Sequence, residues 1–163
     1  MGNNYLMIAK TLYGLESVLA KELRDLGAID VKEGIRSVSF YGDKGFMYKC
    51  NLCLRTAIKI LKPIKSFKVF SEEDLYKKIY SMDWNEYLSP KGTLAIDSTV
   101  HSQKFTHSKF IALKSKDAIV DYFRNTTGNR PNIDLKHPDL RVNIHIEHDK
   151  CSVALDSSNV ALF

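Results

Sequence analysis

The chain has 163 residues, 44% of them hydrophobic, and its 24 basic and 19 acidic residues give a net charge of +5. This length and composition predict one domain, or two very small ones, with a buried core. No apolar run reaches the roughly 18 residues that span a bilayer, and the start, Met1-Gly2-Asn3-Asn4, lacks the basic and apolar regions of a signal peptide. We therefore expect a cytoplasmic protein without a membrane segment.

The first half of the chain alternates between strand and helix patterns. Apolar residues recur at helical spacing between Gly14 and Leu26, and Gly27 follows as a left-handed cap. Pro63 interrupts the last β-rich run, which suggests a sheet edge or a crossing between units. The predicted order is β-α-β-β-α-β, the ferredoxin-like arrangement, with strands at 5–9, 29–32, 37–41 and 56–61 and helices at 14–26 and 45–54.

The second half predicts another layered α/β unit. Ser71 caps a helix with Asp74 as its capping-box partner, and the single tryptophan, Trp84, is expected to anchor the core. Strands are predicted at 64–70, 94–100, 142–146 and 151–155, a helix at 108–126 and a hairpin at 148–150. The fold class is therefore α/β (α+β), with a ferredoxin-like βαββαβ domain over residues 1–63 packed with a second α/β domain over residues 64–163.

The helix at 108–126 carries one narrow polar stripe formed by Lys114, Asp117, Asp121 and Arg124. Apolar residues fill most of the remaining circumference, so this helix is predicted to be well buried. The paired acids of the stripe lie beside basic residues, which favours a surface ion network over acid-base chemistry. Lys116 falls outside the stripe: either its stem reaches out to solvent, or the helix starts late and Lys116 belongs to a basic surface.

The segment from Ser98 to Lys116 has four lysines, two histidines, two phenylalanines and no acid. Its centre, residues 101–110, is named here the basic loop. Lysines neutralise phosphates and aromatic rings stack on unpaired bases, so this pattern predicts a surface that binds nucleic acid. For Phe105, stacking on a base and packing inward to hold the loop both stay open, whereas Phe110 is expected to pack inward.

A second acid-free segment, from Lys44 to Ser71, contains seven basic residues, including Lys65 and Lys68. Segregated charge of this kind indicates an anionic partner. The alternative is that these lysines are solvated and prevent unwanted pairing at strand edges.

The motifs of several common chemistries are missing from the sequence. There is no Gly-rich phosphate loop, no His-Glu-x-x-His and no Gly-x-Ser-x-Gly. Cys50 and Cys53 lack a second cysteine pair for a structural zinc site, and we expect both to fill an apolar helix face. His145 and His148 lie three apart on a strand pattern and so face opposite ways. We therefore predict no catalytic residue and no metal site, and recognition rather than chemistry.

An ordered set of motifs runs through nearly the whole chain. It begins with Gly14-Leu15-Glu16 and Leu54-Arg55-Thr56-Ala57, continues with Asp83-Trp84, and is most specific in Phe105-Thr106-His107, Lys116-Asp117-Ala118-Ile119 and Arg130-Pro131. In this order the chain resembles the N-terminal half of bacterial THUMP-domain RNA methyltransferases, in particular those that methylate the exocyclic amine of guanine (guanine-N2) in large-subunit ribosomal RNA. Ser158 departs from the glycine expected there.

The resemblance implies that a ferredoxin-like domain and a THUMP domain deliver RNA to a downstream Rossmann-like domain. That separate domain would bind S-adenosylmethionine and perform the methylation, so no cofactor is expected in this chain. The implied partners are RNA, in particular large-subunit rRNA, and the downstream methyltransferase domain. The residues expected to meet RNA are Lys104, Phe105, His107, Lys109, Lys116, Arg130, Lys65 and Lys68. The alternative is a protein-interaction domain that docks to a methyltransferase subunit or a ribosomal protein.

Overall fold

The computed structural model describes residues 3–103, 105 and 107–157. The chain divides into two compact units. Unit 1 comprises the described residues up to Pro63 together with Asp156 and Ser157, and unit 2 comprises Ile64–Leu155. Among the helices described, none is both long and apolar enough to cross a membrane.

Unit 1 has the predicted order of elements. They are β1 (Tyr5–Lys10), α1 (Glu16–Leu26), β2 (Ile29–Glu33), β3 (Ser37–Gly42), α2 (Lys44–Cys53) and the start of β4 (Lys59–Lys68). The strands lie in the order β2-β3-β1-β4, and β1 pairs antiparallel with both β3 and β4. This is the ferredoxin-like arrangement, so the prediction for the first half is confirmed.

Local sequence signals account for the helix ends in unit 1. Gly27 follows α1 with a φ of 106°, a left-handed conformation that costs glycine little. Asp43 caps α2, because its carboxylate accepts a hydrogen bond of 2.8 Å from the backbone N–H of Phe46. Val38 and Phe40 are fully buried on one face of β3, as their alternation predicted.

Strand β4 differs from the prediction. The sequence predicted two strands interrupted at Pro63, whereas β4 is one strand from Lys59 to Lys68. Pro63 is tolerated because the ladder between β4 and β1 covers only Lys59–Leu61, so the missing N–H of the proline leaves no gap in it. The boundary between the two units falls directly after Pro63.

Unit 2 continues from β4 with one sheet and two main helices. Its elements are α3 (Glu72–Tyr80), a short 3₁₀ turn (Trp84–Glu86), β5 (Thr93–His101), α4 (Ser108–Thr127), β6 (Asn132–Ile133), β7 (Leu140–Glu147) and β8 (Lys150–Asp156). The strand order is β4-β8-β7-β5-β6. Strand β5 runs parallel to β6 and β7, and β7 pairs antiparallel with β8. The two-residue strand β6 was not predicted, because it is too short to show a periodic pattern.

Trp84 anchors the core of unit 2, as predicted. It is fully buried, and its indole N–H donates a hydrogen bond of 2.8 Å to the carbonyl of Ile79. The cap of α3 is also confirmed: the Ser71 hydroxyl accepts from the N–H of Asp74 at 3.1 Å. The Asp74 carboxylate accepts from the N–H of Phe70 at 3.1 Å, one residue before the position that a capping box uses.

The prediction that the long helix α4 is buried over most of its circumference is wrong. Ile111, Ala118 and Phe123 are buried, but Leu113 and Phe110 are exposed. Helix α4 packs mainly against α3 and β5, and these contacts leave Leu113 and Phe110 exposed in the part of the chain that the structure describes.

Candidate nucleic-acid interface

One edge of the sheet in unit 2 collects the ends of several strands. Parallel strands end at the same edge, so the carboxyl ends of β5 and β7 lie side by side, with His101 opposite Glu147. The chain then turns through His148 and Asp149 into β8, and the N–H of His148 donates to the carbonyl of His101 at 2.8 Å. We call this side of unit 2 the carboxyl edge. The basic loop leaves β5 there.

Strand β4 brings the second basic segment to the same place. The N–H of Val69 donates to the carbonyl of Asp149 at 2.7 Å, so the neighbouring Lys68 lies at the carboxyl edge. Adjacent strands are about 4.8 Å apart, so the step from β4 through β8 and β7 to β5 covers about 14 Å. The end of the Lys44–Ser71 segment and the start of the basic loop therefore lie along one short edge.

The carboxyl edge exposes both basic or imidazole groups and acids. Glu147 and Asp149 lie there, and Glu72 and Glu73 are exposed directly after the Ser71 cap. The exposed basic and imidazole side chains at or next to this edge are Lys68, His101, His107, Lys109, His148 and Lys150. The lysines among them offer contacts to an anionic ligand.

The start of α4 is fixed against β5. The hydroxyl of Ser98 donates a hydrogen bond to the carbonyl of Ser108, the first residue of the helix. His107 directly precedes the helix and Lys109 lies in its first turn, and both are exposed. The free N–H groups of a helix start attract anions, which adds to the effect of these side chains. Lys104 lies outside the described residues.

Burial decides between the two alternatives left open for Phe105 and contradicts the inward packing expected for Phe110. Phe105 is only 3% exposed and belongs to the core of unit 2, so its ring is not available to stack on a base. Phe110, expected to pack inward, is 44% exposed in the first turn of α4. Phe105 therefore holds the loop to the core, and Phe110 is the ring that the loop presents to solvent.

Two predicted lysines lie away from the edge. Lys116 is eight residues beyond the start of α4, about 12 Å along the helix axis. It is partly buried and pairs with Asp117 at 2.9 Å, so its charge is already balanced. Lys65 is exposed on β4 three residues before Lys68, about 10 Å along the strand.

Arg130 lies at the opposite edge of the same sheet. It follows α4 and precedes β6, which pairs with the beginning of β5 at Thr93 and Leu94. The nine residues of β5 separate the two edges by about 26 Å. Although the motif containing Arg130 looked specific in the sequence, the fold does not bring this residue to the basic loop.

The structure exposes a further aromatic ring near the carboxyl edge, that of Phe70, which the sequence did not single out. The sequence assigned Phe70 to the end of a strand, but β4 ends at Lys68 and Phe70 is 62% exposed just before the cap of α3. The ammonium of Lys78 lies 5.4 Å from the centre of its ring, and it also donates to the carbonyl of Lys68. The signal that could have found Phe70 is its position directly before the Ser71 cap, outside both regular elements.

The polar stripe of α4 forms part of the scaffold. The hydroxyl of Tyr76 on α3 donates to the carboxylate of Asp121, and this hydrogen bond, together with burial, raises the pKa of Tyr76 to about 12. The ammonium of Lys114 lies 5.6 Å from the ring of Tyr76, and Arg124 pairs with Asp121 at 3.6 Å. These contacts join α3 to α4 and follow the predicted ion network.

Cys50 and Cys53 differ in burial. Cys50 is buried, and this burial raises its pKa to about 12, but Cys53 is exposed, so the prediction that both fill an apolar face is wrong for Cys53. Over residues 3–103, 105 and 107–157, no group of three or more His, Cys, Asp and Glu side chains could hold a metal ion.

Together the fold and the edge define an α/β protein with a ferredoxin-like domain followed by a second α/β domain that exposes lysines at its carboxyl edge. Known families match both parts: the RlmL ferredoxin-like domain matches residues 6–61, and the THUMP domain matches residues 70–156. The chain belongs to the THUMP domain family, and the predicted resemblance is confirmed.

Two similar proteins carry the name Ribosomal RNA large subunit methyltransferase K/L. The one from Syntrophotalea carbinolica is 41% identical over 149 residues, which cover 91% of this chain and 21% of that protein. The one from Cellvibrio japonicus is 42% identical over 149 residues, covering 91% of this chain and 20% of that protein. The chain spans between 20% and 39% of the length of the curated relatives that it matches.

Solved structures share the fold. The crystal structure of SMU.472 complexed with SAH has a TM-score of 0.78 and 26% identity, and the match covers 96% of this chain and 42% of that one. A 4-thiouridine synthetase–RNA complex with bound ATP has a TM-score of 0.57 and 14% identity, covering 94% of this chain and 41% of that one. At this identity the second match shows a shared fold only.

Proposed function

We propose that this chain is the RNA-binding module of an S-adenosylmethionine-dependent RNA methyltransferase. The observation that carries the proposal is the carboxyl edge of unit 2, where Lys68, His107, Lys109 and Phe110 are all exposed within or next to a span of about 14 Å. Lysines at such an edge neutralise phosphates and fix the orientation of the RNA, and an exposed ring can stack on an unpaired base.

The proposed contact set differs in part from the one expected from sequence. Lys68, His107 and Lys109 keep their roles, as does Lys104 within the basic loop. Phe110 replaces Phe105 as the stacking residue, because only Phe110 is exposed. Lys65 and Lys116 would contact only a longer RNA, and Arg130 lies at the far edge and is not part of this site.

We further propose the setting of this module in a full-length protein. The names of the relatives support large-subunit rRNA as the substrate, and the proposed product is methylated on the exocyclic amine of guanine. A methyltransferase domain would follow the module, bind S-adenosylmethionine and carry out the chemistry in the cytoplasm, where ribosomes assemble. Within the module, the proposed domains are residues 1–63 and 64–163.

The salt dependence of RNA binding tests the carboxyl edge. The probe is a transcribed fragment of large-subunit rRNA, and its affinity is measured by fluorescence anisotropy from about 50 to 200 mM salt, the range in which phosphate contacts weaken strongly. The logarithm of the binding constant falls linearly with the logarithm of the salt concentration, and each lost phosphate contact reduces the magnitude of this slope by about 1. The double variant Lys68→Ala/Lys109→Ala should therefore reduce it by about 2.

A matched double variant at the opposite edge serves as the control. Lys91 and Arg130 are exposed there, and their replacement by alanine removes the same charge. This control should leave the salt plot almost unchanged. Equal effects of the two double variants would show that net charge, and not the carboxyl edge, drives binding. Salt-tolerant binding to a ribosomal protein without binding to rRNA would favour the alternative, a protein-docking domain.

A further inference from the structure

The sheet of unit 1 buries one face and leaves the other accessible. On β1 and β3, Met7 and Phe40 are fully buried, and the centre of the Phe40 ring lies 6.0 Å from that of Phe46 on α2. Successive residues of a strand point to opposite faces. The residues that alternate with the buried ones are half-buried or exposed, and they are Leu6, Ile8, Lys10, Ser37, Ser39 and Tyr41. We call the face that they form the open face.

Two lysines stand directly opposite each other on the open face. Lys10 on β1 is the ladder partner of Lys59 on β4, so their Cβ atoms are about 4.5–5.5 Å apart. Their neighbours Ala9 and Ile60 are also partners and are buried on the other face. Burial, and after it the charge of Lys59, lowers the pKa of Lys10. The fold therefore holds a half-buried cation beside a second cation, and a bound anion would relieve the repulsion between them.

Neither of the usual roles of a strand lysine accounts for this pair. The ammonium groups of Lys10 and Lys59 have no ion-pair partner among the residues that the structure describes. Lysines also protect the outer strands of a sheet from unwanted pairing, which is the alternative that the sequence left open for the segment containing Lys59. However, β1 and β4 are inner strands, in the order β2-β3-β1-β4-β8. Edge protection therefore does not explain the pair.

The ladder places further donors on the same face. Ser37 on β3 is opposite Lys10, and Ser39, two residues along, is opposite Lys32 on β2. Each of these residues is thus one strand from the next, which makes the group continuous across the sheet. It comprises three ammonium groups and two hydroxyl groups.

The acids of β2 do not share this group of donors. Glu33 is opposite Val38, which is fully buried on the other face, so Glu33 belongs to that face. Asp30 lies in the irregular part of β2, with a φ of 51°. Since β3 separates β2 from β1, Asp30 is at least about 10 Å from the strand that carries Lys10.

The glutamates of α1 are balanced by arginines rather than by the lysine pair. The hydrogen bond from the N–H of Arg36, and after it the charge of Arg36, lowers the pKa of Glu16. Burial raises the pKa of Glu22, but its hydrogen bonds and the charge of Arg55 lower it. Neither pKa responds to a lysine, and the pKa of Lys10 responds to no acid. The charge on the open face around Lys10 is therefore positive.

We propose that Lys10 and Lys59 bind phosphate of the RNA backbone on the open face. Their ammonium groups, on flexible stems, would converge on one phosphate, the hydroxyl of Ser37 would donate beside Lys10, and Lys32 would contact a neighbouring phosphate. The inference rests on the proposed function. It adds to the carboxyl edge a second set of contacts that orients RNA without reading its sequence. RNA is favoured over an uncharged partner because the group offers only donors, most of them charged.

The salt dependence of RNA binding by the intact chain tests the pair. The probe is the rRNA fragment used for the carboxyl edge, and Lys10→Gln/Lys59→Gln removes both charges while it keeps most of each stem. Loss of one or two phosphate contacts should reduce the magnitude of the salt slope by about 1–2. Lys10→Arg/Lys59→Arg should keep the wild-type slope. The control Lys21→Gln/Lys44→Gln removes the same charge from α1 and α2 and should also leave the slope unchanged.

Thermal unfolding separates a binding role from a structural one. Like charges directly opposite each other are destabilising, so Lys10→Gln/Lys59→Gln should melt at or above the wild-type temperature while its RNA affinity falls. A lower melting temperature together with unchanged RNA binding would make the pair structural and would overturn the proposal.

Lysine acetylation followed by mass spectrometry locates the contact. Bound RNA should slow the acetylation of Lys10 and Lys59 and leave that of Lys21 and Lys44 unchanged. Equal protection by inorganic phosphate, at the same concentration of phosphate groups, would assign the pair to a free anion and overturn the RNA contact. Protection by polyglutamate but not by RNA would assign it to an acidic protein and would also overturn the RNA contact.

The outcomes distinguish this proposal from the proposed function. If the wild type binds no RNA, both fall together. If the variant of Lys68 and Lys109 lowers the salt slope, but the variant of Lys10 and Lys59 does not and RNA leaves their acetylation unchanged, only the contact on the open face is overturned.

Discussion

The different burial of Phe105 and Phe110 gives the sharpest test of the candidate site. Phe105 is 3% exposed in the core of unit 2, and replacing a buried phenylalanine by alanine costs about 3–5 kcal/mol through lost burial and the cavity left behind. Domains are stable by only about 5–15 kcal/mol, so Phe105→Ala should remove a large share of the stability of unit 2. Phe110 is 44% exposed, and its replacement should cost about 1 kcal/mol or less.

Tryptophan fluorescence during urea unfolding measures this difference in unit 2 alone. The chain has a single tryptophan, and Trp84 is fully buried in unit 2, so its emission reports the loss of that core. With a urea dependence of about 1–3 kcal/mol per molar, a loss of about 3–5 kcal/mol should lower the midpoint of Phe105→Ala by roughly 1–5 M. Phe110→Ala should keep nearly the wild-type midpoint and weaken binding of single-stranded RNA by about 5-fold or more.

The opposite pattern would refute the reasoning. If Phe105→Ala unfolds at the wild-type midpoint and loses RNA affinity, Phe105 is a surface stacking residue and its placement in the core is wrong. If Phe110→Ala changes neither stability nor RNA affinity, the first turn of α4 is not a stacking site.

Three further predictions concern the scaffold. Gly27→Ala should destabilise the protein by about 1 kcal/mol, because alanine strains the left-handed cap at a φ of 106°. Gly45→Ala, inside a helix, should be neutral or slightly stabilising. Thermal unfolding compares the two variants, and equal changes in melting temperature would contradict the role of Gly27 in the cap. Burial opposes ionisation of Glu22, but its hydrogen bonds from Thr56 and Arg55 outweigh this and lower its pKa below the ordinary 4.5. The contribution of Glu22 to stability is therefore complete above pH 4.5 and is lost as the pH falls through the lowered pKa. In urea titrations, Glu22→Gln should be less stable than wild type at pH 7 and should lose less stability on acidification. If the free energies of unfolding of the two proteins change in parallel with pH, Glu22 does not have this role. Iodoacetamide should alkylate Cys53 quickly and the two buried cysteines only on unfolding, and mass spectrometry that finds three equally fast thiols would contradict their burial.

Much of the fold could be predicted from local patterns. The ferredoxin-like order, the Gly27 and Ser71 caps and the burial of Trp84 each depend on a spacing or a residue type within a few neighbours. The errors came where neighbours distant in sequence decide the outcome. Pro63 looked like a strand end, but β4 continues through it because the ladder with β1 stops at Leu61.

The candidate site could be predicted in composition but not in geometry. The sequence identified Lys68 and Lys109 as basic residues in acid-free segments, yet nothing in it indicated that the two would meet at one edge. It grouped Arg130 with the basic loop through a shared motif, although the length of β5 separates them. It also placed Phe105 and not Phe110 among the residues expected to meet RNA, because both lie in the same apolar and basic context and only their burial separates them.

By itself, the sequence determined which residues form helices and strands, where the basic charge is concentrated and which family the chain resembles. These properties depend on backbone preferences and side-chain periodicity, which act over a few residues. Only the tertiary structure decided which basic residues share a surface and which phenylalanine faces solvent. Strand order, the parallel pairing of β5 and β7 and the packing of α4 against α3 and β5 bring together residues far apart in the chain, and no local pattern encodes those pairings.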